Sequence, residues 1–309
     1  MNQARRQLLK GLLLAPALSL LSSCGGSSFD EPFVGGAATT PPNSVASVIS
    51  AEEAARLILP RRALVLAAES KAESGPLQLV GGAVPVDVDQ LTTLSEQPGA
   101  LLDPLVFGQL FRTWGVDSTT PIVIYDDGAA KFAARVHFLL LHFGAAPSFI
   151  VNGGVQELAK FVSGGGGLAV PSQFNAQVVN EPIQLVFQEE VLARLGGTTQ
   201  IVDVRTPAEY NGDLLLPGDA RPGHIPGAIN LPEGEFFGSN GFILDTPQLQ
   251  ELFRSRGIVE SRPVLVYCHD GAKSSLAATL MVQCGYPDVS LYYLSYKDWS
   301  ENPDLPVEL

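Results

Sequence analysis

The sequence predicts an α/β chain of two similar domains, each a mainly parallel sheet flanked by helices on both faces. Three observations carry this expectation. Short, largely apolar runs such as "IVDV" (201–204) and "VLVY" (264–267) alternate with helical patterns, as buried parallel strands with crossover helices do. "FRTWGVDSTTPIVIYD" from Phe111 realigns with "FRSRGIVESRPVLVYC" from Phe253 without a gap, at a constant offset of 142. The chain has 309 residues and 46% hydrophobic content, enough for two ordinary cores.

The elements follow in order. Residues 1–23 have a basic start (Arg5, Arg6, Lys10), an apolar run of signal-peptide length, and small residues leading into Cys24. "RRQLLK" resembles a twin-arginine export motif, and "LSSC" resembles a bacterial lipobox with Cys24 as the lipidated residue. The alternatives are an ordinary signal peptide with two chance arginines, or a membrane helix, for which the apolar run is short. The expected location is the periplasmic side of a bacterial membrane, lipid-anchored, with the outer membrane favoured by Gly25 after the cysteine. Residues 24–44, rich in Gly, Ser, Pro and Thr, read as a flexible tether.

Two domains are expected at 45–163 and 180–309, joined by a linker at 164–179 that opens on four glycines. Further pairs support the duplication: "SAEEAARLI" (50–58) with "FQEEVLARL" (187–195), and "VGGAVPVDV" (80–88) with "GHIPGAINL" (223–231). The glycine run lacks the lysine and following helix of a phosphate loop. No metal cluster or dinucleotide fingerprint is visible, and no cofactor is implied.

The net charge is −13, and becomes −16 once residues 1–23 are set aside. Such a surface disfavours polyanions, so nucleic acid is not expected as a partner, and an anionic substrate needs a local cationic site. Three cysteines make no disulfide framework.

The informative stretch is "PVLVYCHDGAKSS" (263–275), whose counterpart "PIVIYDDGAAKFA" (121–133) has Asp126 in place of Cys268. Ser274 or Ser275 is the expected N-cap of a following helix that stops at Gly285. Cys268 then sits at the carboxyl end of a buried strand, where loop amides and a helix start favour its thiolate. Gly271 lets the backbone curl around the sulfur, and Lys273 adds charge at the rim. A small buried hydrophobe is the competing reading of Cys268, and core packing is the expected role of Cys284.

"IVDVRTPAEY", "RPGHIPGAINLP", "VLVYCHDGAKSSLAATLMVQCGYPDV" and "SYKDW", in this order, resemble a rhodanese-type sulfurtransferase domain, and the chain from about residue 45 resembles the tandem, two-domain form. The resemblance implies a degenerate first domain and a catalytic second one. It implies that Cys268 takes a sulfane sulfur as a persulfide and passes it, by a ping-pong route, to a thiophilic acceptor such as cyanide, a thiol or a protein thiol. The loop His269, Asp270, Gly271, Ala272 and Lys273 matches the persulfide cradle, and Arg205 matches the arginine that contacts the anionic donor. A salt bridge with Glu209 is the other reading of Arg205; Asp203 and His224 are expected to be structural. Thiosulfate is the leading donor and 3-mercaptopyruvate the alternative, because Asp270 stands where thiosulfate favours a cation. A phosphatase-like oxyanion loop needs an arginine where Ser274 stands, and a non-catalytic binding or sulfur-carrier module fits the first domain better than the second.

Overall fold

The computed structural model describes residues 47–309. The expected signal segment and lipidation at Cys24, and nearly all of the tether, lie outside the described residues. The first half runs β1 (Val48–Ile49), α1 (Ala51–Ile58), β2 (Leu64–Glu69), β3 (Val84–Asp87), α2 (Val88–Ser95), α3 (Pro104–Trp114), β4 (Ile122–Tyr125), α4 (Lys131–His142), β5 (Ser148–Val151) and α5 (Gly154–Leu158). The second runs β6 (Ile183–Leu185), α6 (Gln188–Arg194), β7 (Gln200–Asp203), α7 (Pro207–Tyr210), β8 (Ile229–Asn230), α8 (Thr246–Ser255), β9 (Val264–Tyr267), α9 (Ala272–Gln283), β10 (Val289–Leu291) and α10 (Ser295–Glu301).

Each half forms a five-stranded, all-parallel sheet. The orders β1-β5-β4-β2-β3 and β6-β10-β9-β7-β8 are the same topology once the second set is renumbered. The repeat seen as an offset of 142 residues is therefore a repeat of structure: β4 and β9 are the central strands of their sheets, and all four residues of each are buried. Strands buried on both faces read as unbroken apolar runs, which is why "IVIY" and "VLVY" show no alternation.

Helices α4 and α9 follow these strands and pack against each other across the domain boundary. Both are buried almost all round. A helix that meets its own sheet on one side and a neighbouring helix on the other has no solvent face to mark with polar residues. Small residues, Ala133 and Ala134 on α4 and Ala277 and Ala278 on α9, belong to one buried cluster that also contains Leu66 and Ile124 of the first sheet and Val202 and Val266 of the second. Two smaller clusters lie on the outer faces, one under α1 and α5, the other under α6 and α10. The inner core is thus common to both domains.

The connection between the sheets contains no helix or strand, yet it is packed: Phe174 and Ala176 are buried, and Arg112 Nη1 of α3 donates to the Phe174 carbonyl at 3.0 Å.

Candidate functional site

β9 ends at Tyr267 and delivers Cys268, which is wholly buried at 0% exposure, to the start of α9. The helix begins earlier than its serines suggest. Gly271, at φ 98°, occupies the position before the first helical residue, Ala272, so Ser274 and Ser275 lie inside the first turn and neither is the N-cap. The left-handed conformation and the space both require glycine there: a Cβ on Gly271 would lie 2.4 Å from the Tyr293 carbonyl oxygen. Ser275 Oγ donates back to the Gly271 carbonyl at 2.7 Å, and Ser274 Oγ donates to Cys268 Sγ at 3.3 Å.

The sulfur also accepts the Gly271 backbone N–H at 3.1 Å. The Cys268 N–H donates to Ser295 Oγ at 3.1 Å, and that hydroxyl donates to the Tyr292 carbonyl at 2.8 Å. Ser295 holds φ 64°, a left-handed conformation that costs a side-chain-bearing residue on the order of 1–3 kcal/mol, and its contacts tie the strand end to α10. A sulfur anion at this strand end meets a backbone donor, a hydroxyl donor and the positive end of α9.

The remaining loop residues are spread around this centre. His269 Nδ1 lies 3.1 Å from Asp219 Oδ1, a carboxylate 1% exposed. Lys273 Nζ lies 4.0 Å from Glu209 Oε2, so it is the lysine rather than Arg205 that faces this glutamate. Asp270 is engaged from the other domain. Arg135 of α4, 2% exposed, places Nη2 2.9 Å from Asp270 Oδ2 and 2.7 Å from the Asp270 carbonyl oxygen, while its Nη1 bonds Thr92 Oγ1. Burial alone would raise the Asp270 carboxyl, but the charge of Arg135 and its hydrogen bond outweigh this and hold it at about 2. Asp270, which stands where thiosulfate favours a cation, is thus paired with a guanidinium.

Arg205 also differs from its expected form. Its side chain is 1% exposed, donates through Nε and Nη2 to Asp203 and through Nη2 to the Gly223 carbonyl at 2.8 Å, and stacks on Tyr296 at 3.9 Å. Asp203 is the carboxylate two residues away on β7, reachable because the chain turns at the strand end. Among the described residues only Nη1 of this guanidinium has no protein partner; Nε and Nη2 are committed to Asp203 and the Gly223 carbonyl. His224 stacks on Tyr210 at 3.6 Å and bonds its carbonyl, a turn role. Burial pushes the Cys284 thiol up to about 12, as core packing implies.

In the first domain, Asp126 occupies the place of the cysteine and is 0% exposed. Its Oδ1 accepts from the amides of Gly128 (2.9 Å) and Ala130 (3.1 Å), and its Oδ2 from those of Phe132 and Ala133 (both 3.2 Å). The donors of this loop and of the α4 start are satisfied by the domain's own carboxylate. Burial raises this carboxyl, and the amides of Gly128, Ala133 and Ala130 oppose the rise.

Near both helix starts lies Glu233, whose Oε1 is buried and has no partner among the described residues. Burial raises it to about 7, against the pull of Lys273 and Lys131. Sequence reasoning missed Arg135, Ser295 and Glu233. Arg135 left a signal: an arginine in "FAARVHFLLL", apolar but for it and His137, needs a buried partner.

Comparison with known proteins agrees with this geometry. A Rhodanese-like domain model matches residues 187–302. The chain is 30% identical over 234 residues to a 3-mercaptopyruvate sulfurtransferase of Escherichia coli, covering 74% of this chain and 83% of that protein. It is 32% identical over 203 residues to a putative thiosulfate sulfurtransferase of Mycobacterium tuberculosis, covering 63% of this chain and 69% of that one. The crystal structure of the Escherichia coli 3-mercaptopyruvate enzyme superposes with a TM-score of 0.70 at 25% identity, covering 81% of this chain and 99% of that structure.

Proposed function

The chain belongs to the rhodanese-type sulfurtransferases, which move a sulfane sulfur through a catalytic cysteine, and from that premise we propose that Cys268 is that cysteine and that thiosulfate or a related sulfane compound is the donor. The observation that carries the assignment is the convergence of the Gly271 N–H and the Ser274 hydroxyl on Cys268 Sγ at the start of α9. The Cys268 thiolate attacks the outer sulfur of thiosulfate, the sulfur–sulfur bond breaks, and sulfite leaves with the bonding pair. The negative persulfide that results is the species the loop donors and helix start stabilise. In the second half-reaction an acceptor such as cyanide, a thiol or a protein thiol attacks the outer sulfur, and the Cys268 thiolate departs. Lys273 at the rim and Nη1 of Arg205 are the groups this reading assigns to the donor anion.

A second donor reading, 3-mercaptopyruvate, is favoured by the relative at 30% identity. It also fits the carboxylates of Glu209 and Glu233 near Lys273, which suit a singly charged donor better than a dianion. The first domain has no thiol at the equivalent place and is proposed to be non-catalytic. The lipobox-like "LSSC" supports an exported, lipid-anchored protein on the periplasmic side.

Mass spectrometry after incubation with each donor tests the assignment. One added sulfur is expected on Cys268, none in a Cys268→Ser protein, and an unchanged gain in Cys284→Ser; transfer at the wild-type rate by Cys268→Ser refutes it.

A further inference from the structure

Arg135 and the sulfur of Cys268 hold opposite ends of one peptide unit. The Asp270 carbonyl oxygen accepts from Arg135 Nη2 at 2.7 Å, and the N–H on the other side of the same amide, that of Gly271, donates to Cys268 Sγ at 3.1 Å. Carbonyl and N–H point in opposite directions across a planar trans amide, so a group that fixes the oxygen also aims the hydrogen. A cation on the oxygen draws electron density from the nitrogen and strengthens the N–H as a donor, the polarisation that runs along chains of hydrogen bonds. The cation is itself fixed: Thr92 of α2 bonds Nη1, the Tyr293 ring lies 5.8 Å from the guanidinium, and the side chain is 2% exposed.

We propose that Arg135, supplied by the domain that lacks a thiol, is a positioning residue for the sulfur chemistry: it orients and polarises the Asp270–Gly271 amide so that its N–H stabilises the anionic sulfur of Cys268. The inference rests on the reading of Cys268 as the sulfur carrier. It gives the first domain a part in the chemistry that its own Asp126 cannot take.

The charged and titratable groups around the sulfur are Arg135 from α4, Tyr293 from the segment after β10, Lys273 from α9, and His269 and Asp270 in the loop. Two of them compete as explanations, because removing Arg135 also frees the Asp270 carboxylate, so the test must separate the carbonyl from the carboxylate. The readout is the pH dependence of the thiolate ultraviolet absorbance of the full chain, with the Cys268→Ser protein subtracted. It requires no turnover, so a failure of the donor assignment leaves it interpretable.

Arg135→Gln is expected to move the midpoint upward by about one pH unit, a tenfold loss of thiolate below the midpoint, the size typical of losing one charge-assisted hydrogen bond. Asp270→Asn, which keeps the carbonyl contact, is expected to leave the midpoint in place or lower it. Arg135→Gln added to Asp270→Asn is expected to raise it again. Should the double variant match Asp270→Asn, Arg135 acts only on the carboxylate and the proposal fails. Thr92→Val, which loosens the guanidinium, and Arg135→Lys, which replaces it with an ammonium and keeps a cation in its place, are expected to shift the midpoint by smaller upward steps, and they decide the matter if Arg135→Gln does not fold. Lowered thermal stability with every midpoint unmoved assigns Arg135 a packing role and overturns the proposal.

Discussion

Arg135 and Asp270 lie 2.9 Å apart although 135 positions and a domain boundary separate them in the chain. The pair changes what loss of the Asp270 carboxylate is expected to do. Read from the sequence, removing that carboxylate favours thiosulfate; with its partner in view, removal leaves a buried guanidinium short of its counter-charge. Asp270→Asn is expected to cost about 3 kcal/mol, the lower part of the range for breaking a buried pair, since the aspartate is partly exposed. Urea unfolding at pH 7 measures it. Because the folded carboxyl is held at about 2, below its unfolded value, this stabilisation is present above about pH 4 and is lost as the pH falls toward 2. The difference between wild type and variant is therefore expected to shrink across that interval.

Asp126→Ala is expected to destabilise the protein by several kcal/mol, since four buried amides lose their acceptor and an unsatisfied group costs about 1–3 kcal/mol. The fraction that remains folded is expected to keep most of its sulfur transfer, because Asp126 has no access to the transferred atom. Denaturation midpoint and specific activity, measured on the same preparation, separate the two effects. Lost activity at unchanged stability contradicts this account.

Glu233 gives a dependence of the opposite sign on pH. Its carboxyl is raised to about 7 by burial, so the folded protein holds a proton there that the unfolded chain releases near pH 4.5. Stability contributed by this group therefore falls as the pH rises from about 4.5 to 7. Glu233→Gln is expected to raise the thermal midpoint at pH 8 and to leave it nearly unchanged at pH 4. Equal shifts at both values rule out titration of Glu233 as the cause.

For the leader region, wild-type protein expressed in a bacterial host is expected in the membrane fraction, while Cys24→Ala is expected to be released from it. Identical fractionation of both rejects lipidation at Cys24.

The duplication and the parallel sheets were readable because burial on both faces leaves apolar runs, and because two copies could be compared with each other. The same comparison located Cys268 against Asp126. It failed where the site is asymmetric. The counterpart of Arg135 in the repeat is Ala277, so alignment of the copies gives no hint of a charged group there. The helix start moved from Ser274 to Gly271 because side-chain capping preference was weighed without the positive φ that glycine permits at that point. Arg205 lies two residues beyond the end of β7, and its orientation depends on Tyr296 and Gly223, which arrive from other parts of the chain.

Because α4 and α9 bury one another, the boundary between the two halves lies within the largest apolar cluster among the described residues. Cut free, the second half would show to water part of α9, whose buried residues include Leu276, Ala277, Leu280 and Met281, an adhesive surface on the helix that follows Cys268. The first domain, with Asp126 where the second has Cys268, therefore serves as the cover of that surface. A lineage shedding it would first have to recode the outward face of a helix whose other face holds the sheet, and each intermediate would be prone to self-association.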